Sequence, residues 1–200
     1  GEIGTSLPTV YFTVQGDSAY SFYVAGSPHT VTNLAGANDG YDIDLHGDRL
    51  VVVGDGTNRD RIDFSNAADF TTWSAADYIS IGYQTDLFHG FPQRGGFTIL
   101  SFDGAWRVTG TLGSTNVVRR AIRALGTSRH AATIDTDELI YYMPNTNSAP
   151  VLFDGSTADD QTLAYLSSWC TPTSGSNRDN GIRAAFAPEN RDLMFLSTSG

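Results

Sequence analysis

The sequence predicts an all-β fold of repeated antiparallel hairpins with a β-propeller-like organisation; a β-sandwich is the alternative. Three observations carry the prediction. Apolar, β-rich runs recur along the whole chain. Most of them fold back through a turn rich in Gly, Asp, Asn or Pro, residues that accept positive φ or start turns. The composition suits the same class. Its 21 glycines serve many tight turns, and 40% hydrophobic with 12% aromatic residues are enough for a sizeable core rather than disorder.

Taken in chain order, the runs are Thr9–Val24 (TVYFTVQGDSAYSFYV), Asp48–Phe64 (DRLVVVGDGTNRDRIDF), Gly96–Val108 (GFTILSFDGAWRV), Asp137–Phe153 (DELIYYMPNTNSAPVLF) and Arg191–Leu196 (RDLMFL). Val, Ile, Phe, Tyr and Thr dominate them, as a pleated, half-buried surface requires. The first four contain a turn (QGDS, GDGTN, FDGA and PNTNSAP) and then a second run. The fifth supplies a first strand, and the sequence then stops at Gly200. The first apolar residues, Val10, Leu50, Phe97, Leu139 and Leu193, are spaced by 40, 47, 42 and 54 residues. Four-stranded propeller blades occupy roughly 40–50 residues. Further β-like stretches between the hairpins, Tyr78–Gly82 (YISIG) and Ala121–Leu125 (AIRAL), make a four-stranded blade a better fit than a simple meander. A sandwich with irregular hairpins stays open.

Residues 1–200 are expected to form a single propeller-like β domain. Closure by the N-terminus and continuation in a longer chain both remain open. The first ten residues, GEIGTSLPTV, lack an initiator Met, which fits a processed product or a fragment. They also lack the basic and apolar regions of a signal peptide. No apolar run approaches the roughly 20 residues that cross a bilayer, so no membrane partner is expected. Two segments read as non-β. Asn66–Tyr78 (NAADFTTWSAADY), with two Ala-Ala-Asp units, is expected to be a short helical turn or an ordered loop anchored by Trp73. Cys170–Asn180 (CTPTSGSNRDN) is polar and turn-rich, as a loop or hinge is.

Net charge is −10, and all 12 basic residues are arginine. That balance argues against a surface gripping nucleic-acid phosphates, which needs clustered positive charge. It suits a surface that DNA slides past, because like charges facing a channel discourage tight binding.

The candidate chemistry is sparse. His29, His46, His89 and His130 lie 17, 43 and 41 residues apart, without the close pairing that metal sites favour. Acidic residues gather at Asp39–Asp44, Asp55–Asp63, Asp135–Glu138 and Asp159–Asp160. Paired carboxylates serve glycosidases, but Asp is equally a turn residue through its local hydrogen bonds. Asp55–Asp60 (DGTNRD) has the start of a calcium loop and lacks the later bidentate Glu of an EF-hand. Ser101–Trp106 (SFDGAW) is similar to the Asp-box turn of sialidase-like propellers with altered spacing; that turn is structural. The single cysteine, Cys170, excludes an intrachain disulfide and a thiolate zinc site, and beside Trp169 it reads as a small core residue. No Gly-x-Ser-x-Gly elbow and no P-loop occurs. The sequence therefore assigns no catalytic, cofactor-binding or metal residue, and the chain is expected to need no cofactor and not to be an enzyme.

Arg61–Ser65 (RIDFS), Asp69–Trp73 (DFTTW) and Ala76–Gly82 (ADYISIG) together resemble a recurring stretch of bacteriophage tail proteins. Gly96–Gly110 (GFTILSFDGAWRVTG) resembles that family's strand-turn-strand unit, and Gly126–Thr133 (GTSRHAAT) with Leu139–Gly155 (LIYYMPNTNSAPVLFDG) resembles the repeat that follows. The resemblance spans Asp48 to Gly155 and is to the tail nozzle or tubular proteins of short-tailed phages and to propeller-bearing head-to-tail and tail-hub proteins. It implies a virion component in a homo-oligomeric ring on the DNA exit path, docking other tail proteins such as an adaptor, fibres or a plug. DNA would pass without specific binding. Tyr20, Tyr23, Tyr83 and Trp169 would be contact residues if exposed, and Trp73 and Trp106 would anchor the core. A glycan-binding propeller module of a tail fibre or adhesin is the alternative, with a glycan-cleaving enzyme behind it.

Overall fold

The computed structural model describes residues 9–14, 17–23, 30–54, 56–82, 85–93, 95–122, 126–127, 133–136, 139–145, 149–159, 161–164, 182–187 and 192–197. The fold is all-β: every named element is a strand, and every sheet is an antiparallel meander in which sequence neighbours pair. The chain divides into two compact units, Gly1–Gly82 and Tyr83–Gly200.

The first unit holds a three-stranded sheet, β1 (Thr9–Thr13), β2 (Ala19–Tyr23) and β3 (Thr30–Asn33). A four-stranded sheet follows, β4 (Asp42–His46), β5 (Arg49–Val53), β6 (Arg61–Asn66) and β7 (Asp69–Ser80). Leu50–Val53 of β5 and Ile62–Ser65 of β6 are buried without a break. Successive side chains of a strand point to opposite faces, so both faces of these central strands are covered. This explains why the sequence there is a continuous apolar run instead of an alternating one. The β4–β5 turn is Gly47-Asp48, with Gly47 at φ 65 supplying the left-handed first position of a two-residue hairpin. Ala19, Leu34, Ala37, Leu50 and Val52 form the core, with Tyr11, Ile43, Phe70 and Trp73 packed against it. The two sheets of this unit thus meet face to face.

β7 corrects the expectation for Asn66–Tyr78. It is a 12-residue strand, neither helical turn nor loop. Its Ala, Ser and Asp have low β propensity, but pairing to the strongly β-forming β6 overrides that preference. The mismatch appears as irregular register. Ser65 pairs with Trp73 and Asp63 with Tyr78, so Ser74–Asp77 bulge out of the ladder.

The second unit holds β8 (Leu87–Gln93), β9 (Gly96–Ser101), β10 (Ala105–Thr109) and β11 (Val118–Ile122). A second four-stranded sheet comprises β12 (Thr133–Asp135), β13 (Ile140–Tyr142), β14 (Val151–Phe153) and β15 (Ala158–Asp159), and a hairpin pairs β16 (Ile182–Ala187) with β17 (Asp192–Ser197). All six residues of β9 are buried. Phe91, Leu100 and Ala105 from one sheet pack on Ile140, Tyr142, Val151 and Phe153 from the next. Consecutive sheets again stack face to face.

The four expected hairpins are present as β1/β2, β5/β6, β9/β10 and β13/β14. In each four-stranded sheet the predicted hairpin is the central pair. The fifth run differs. Leu193 lies in β17, the second strand of its hairpin, because Ile182–Ala187 (IRAAFA) pairs ahead of it. The first strands β4, β8 and β12 begin 45 and 46 residues apart. Within the units, β1 lies against β4 and β12 against β16, so the first strands of successive sheets approach one another.

Candidate functional site

The outer face of the β1–β3 sheet carries exposed apolar side chains among the described residues. Strand alternation builds it. Tyr11 and Ala19 point inward to the core shared with the next sheet. Val10, Phe12, Tyr20, Phe22 and Val31 therefore point the other way. Val10, Phe22 and Val31 are direct cross-strand partners in one row. Val10 is 49% exposed and Val31 54%, on either side of a half-buried Phe22. In the adjacent row Phe12 stacks on Tyr20 with ring centroids 5.6 Å apart.

The Tyr20 hydroxyl donates to Asp17 Oδ2 at 2.7 Å. That bond to a carboxylate raises the phenol pKa above its ordinary value and keeps the hydroxyl at the rim. Three strands about 4.8 Å apart and four to five residues long give a footprint on the order of 250 Å². A stable interface needs about 800 Å² per partner. The face is thus sized to complete a larger contact, and its chemistry is packing.

The residues singled out from sequence are scattered. His46 is half-buried in β4 and His89 lies in β8 against Phe91, one in each unit; His29 and His130 lie outside the described residues. Burial lowers the pKa of His46. Among the described residues no three His, Cys, Asp or Glu side chains gather as a metal site would need.

The carboxylates act mainly as local turn and pairing groups. Asp154 Oδ1 accepts from Thr157 N at 2.7 Å, Ser156 N at 2.8 Å and Ser156 Oγ at 2.9 Å. Asp159 accepts from Gln161 N, Thr162 N and Thr162 Oγ1, and Asp69 from Thr71 N and Oγ1. Such bonds hold all three below the usual carboxylate range: the Thr157 backbone leads for Asp154, the Thr162 hydroxyl for Asp159 and the Thr72 hydroxyl for Asp69. In the calcium-like stretch, Asp60 Oδ2 accepts from Ser80 Oγ at 2.8 Å, and Asp55 is outside the described residues. Asp63 is buried and paired with Arg61 Nε at 3.1 Å, while the Arg61 guanidinium lies 4.7 Å over the exposed ring of Tyr78. Asp42 and Asp44 each accept from the next backbone N–H. Asp137, Glu138 and Asp160 are outside the described residues.

The Ser101–Trp106 turn is structural here. Ser101 N and Oγ donate to Gly104 O, and Gly104 N donates back to Ser101 Oγ. Trp73 packs against the first unit's core as expected, and its Nε1 donates to Phe70 O at 3.1 Å. Trp106 is only half-buried, at a cross-strand position between Ile99 and Ala121. Tyr23 is 46% exposed. Tyr83, Trp169 and the Cys170–Asn180 segment, expected to be a loop or hinge, lie outside the described residues. Val10, Phe22 and Val31 were not singled out from sequence. Their signal is that β1 is apolar at both alternating positions, as a strand covered on both faces would be. Compared with known proteins, the chain matches no family model and no curated relative.

Proposed function

We propose that this chain is a structural protein of a bacteriophage tail, at the nozzle, tail tube or head–tail connection. Its sheets act as propeller-like blades, and its copies form a ring around the DNA exit path that docks other tail proteins. The carrying observation is the recurrence of four-stranded meanders whose first strands begin 45 and 46 residues apart. Arranged radially, such meanders build a stiff wall with short, protected sheet edges. The exposed β1–β3 face gives such a wall a packing surface, and the net charge of −10 lets DNA pass without adhering. Mass spectrometry of purified particles of the encoding phage tests the reading, together with antibody labelling of their tails. Stoichiometric presence and tail labelling support it; absence from the particles overturns it.

A glycan-binding module is the second reading. It is favoured by the exposed Tyr78 beside the Arg61–Asp63 pair, since aromatic rings next to charged hydrogen-bonding groups suit sugar faces. Glycan-array binding lost in Tyr78→Ala would select it.

A further inference from the structure

We propose that the outer edge of β3 in one copy pairs with the outer edge of β17 in a second copy, joining copies head to tail through one continuous sheet. This names the contact behind the ring proposed above and rests on that reading.

An edge strand presents outward N–H and C=O groups, a template for a further strand unless charge, a bulge or brevity blunts it. Among the described residues, three of the five final strands are blunted. β7 is interrupted by the Ser74–Asp77 bulge, β11 carries Arg119 and Arg120, and β15 has two residues. β3 and β17 differ. Although four residues long, β3 (TVTN) holds no charge, proline or bulge, and β17 pairs with β16 in unbroken register over six residues. They also close the two sheets with fewer than four strands, three in one and two in the other. A two-stranded hairpin is marginal alone, so an added strand stabilises it most.

The ladder of β3 fixes how a strand adds. Leu34 N donates to Ala19 O at 2.9 Å, continuing the β2–β3 pairing by one step. Antiparallel pairs alternate between bonded and non-bonded. Ser21–Thr32 and Tyr23–Thr30 are therefore the bonded pairs, and Val31 and Asn33 turn their N–H and C=O outward. All four residues of β3 are exposed, Val31 by 54%, as an open edge requires. Val31 ends the outer-face row Val10–Phe22–Val31, and a strand bonded to it extends that row by one residue. β17 (DLMFLS) suits the position. Its four consecutive apolar residues bring an apolar neighbour to Val31 in either alternation, and its one charge meets no charge on β3. Two unlike edges make a heterologous contact, the kind that closes copies into a ring.

Residue-resolved hydrogen exchange on the unmodified chain, at concentrations below and above the onset of association in sedimentation, tests the pairing. In the associated sample the Val31 and Asn33 amides should exchange about tenfold more slowly or better. Alternate amides of Asp192–Ser197 should slow with them, while Thr30 and Thr32, already bonded to β2, change less. Val31→Pro removes the outward N–H and spares the bonds to β2, so association should weaken about tenfold or more with the melt nearly unchanged. Four results overturn the proposal: association with Val31 and Asn33 exchange unchanged, slowing at β3 without slowing at β17, slowing independent of concentration, or full association of a folded Val31→Pro chain. The first leaves the ring reading standing; a chain that never associates removes both.

Discussion

Replacing Gly126 with alanine tests how tightly the second unit is built. A Cβ placed there would lie 1.7 Å from the Phe102 carbonyl oxygen, whereas real Cβ contacts stay beyond about 3.0 Å. The two backbones must therefore separate by about 1.3 Å, the difference between those distances. Hydrogen bonds cross this contact: Thr127 N donates to Ser101 O at 2.9 Å and Asn145 Nδ2 to Phe102 O at 2.7 Å. Stretching them by that much breaks both. Two lost bonds cost roughly 2 kcal/mol, and forcing atoms into a packed site costs about 1–3 more. Alanine's lower unfolded-state entropy returns about 0.5 kcal/mol, leaving a destabilisation of about 2.5–4.5 kcal/mol. Urea unfolding with hydrogen exchange on β9 and β10 measures it, and exchange in β5 and β6 should stay unchanged. Gly47→Ala is the control. Gly47 sits at φ 65 with nothing within 4 Å of a new Cβ, so backbone strain alone costs it about 1 kcal/mol. If Gly126→Ala costs no more than Gly47→Ala, the close approach is not what holds these segments together.

Four further perturbations probe the first unit. Asp63→Ala strands the Arg61 charge (side-chain exposures 6% and 16%) and should cost roughly 2–3 kcal/mol in chemical denaturation. Ala68 sits in the β6–β7 turn at φ 55, so Ala68→Gly should stabilise by about 1 kcal/mol. Burial lowers the folded pKa of His46 below 6.5. Above that pH His46 is neutral in both states; as pH falls below 6.5 the unfolded chain takes the proton first, and stability declines until pH passes the folded pKa. His46→Gln should remove that part of the acid sensitivity, as thermal melts at several pH values would reveal. Val10→Thr/Val31→Thr should leave the melt nearly unchanged yet weaken concentration-dependent association in sedimentation; unchanged association would remove the outer face from the assembly.

The central hairpins were legible because their strands are buried on both faces. LVVV in β5 and FTIL in β9 are buried throughout and almost wholly apolar, and the turns between paired strands are rich in Gly, Asp, Asn or Pro. The flanking strands were not. β3 is TVTN and β11 is VRRAI, both mostly exposed, so neither needs an apolar pattern. β7 misled for the related reason that its central Ser74–Asp77, with low β propensity, sits between β-forming residues that pair with β6. In the last hairpin the Ala-rich β16 hid behind the more apolar β17. The candidate face lay in plain view as the alternating Val10 and Phe12, with Tyr11 between them on the opposite face. Sequence gave no way to decide which alternate face meets a neighbouring sheet. Close backbone approaches such as Gly126 on Phe102 join residues 24 positions apart and leave no local signature.

Electron microscopy of the purified full-length protein tests the central claim most directly. The account predicts closed rings of several copies, with four-stranded sheets arranged radially in each copy. A protein that stays strictly monomeric, or whose sheets stack without a radial arrangement, would contradict it.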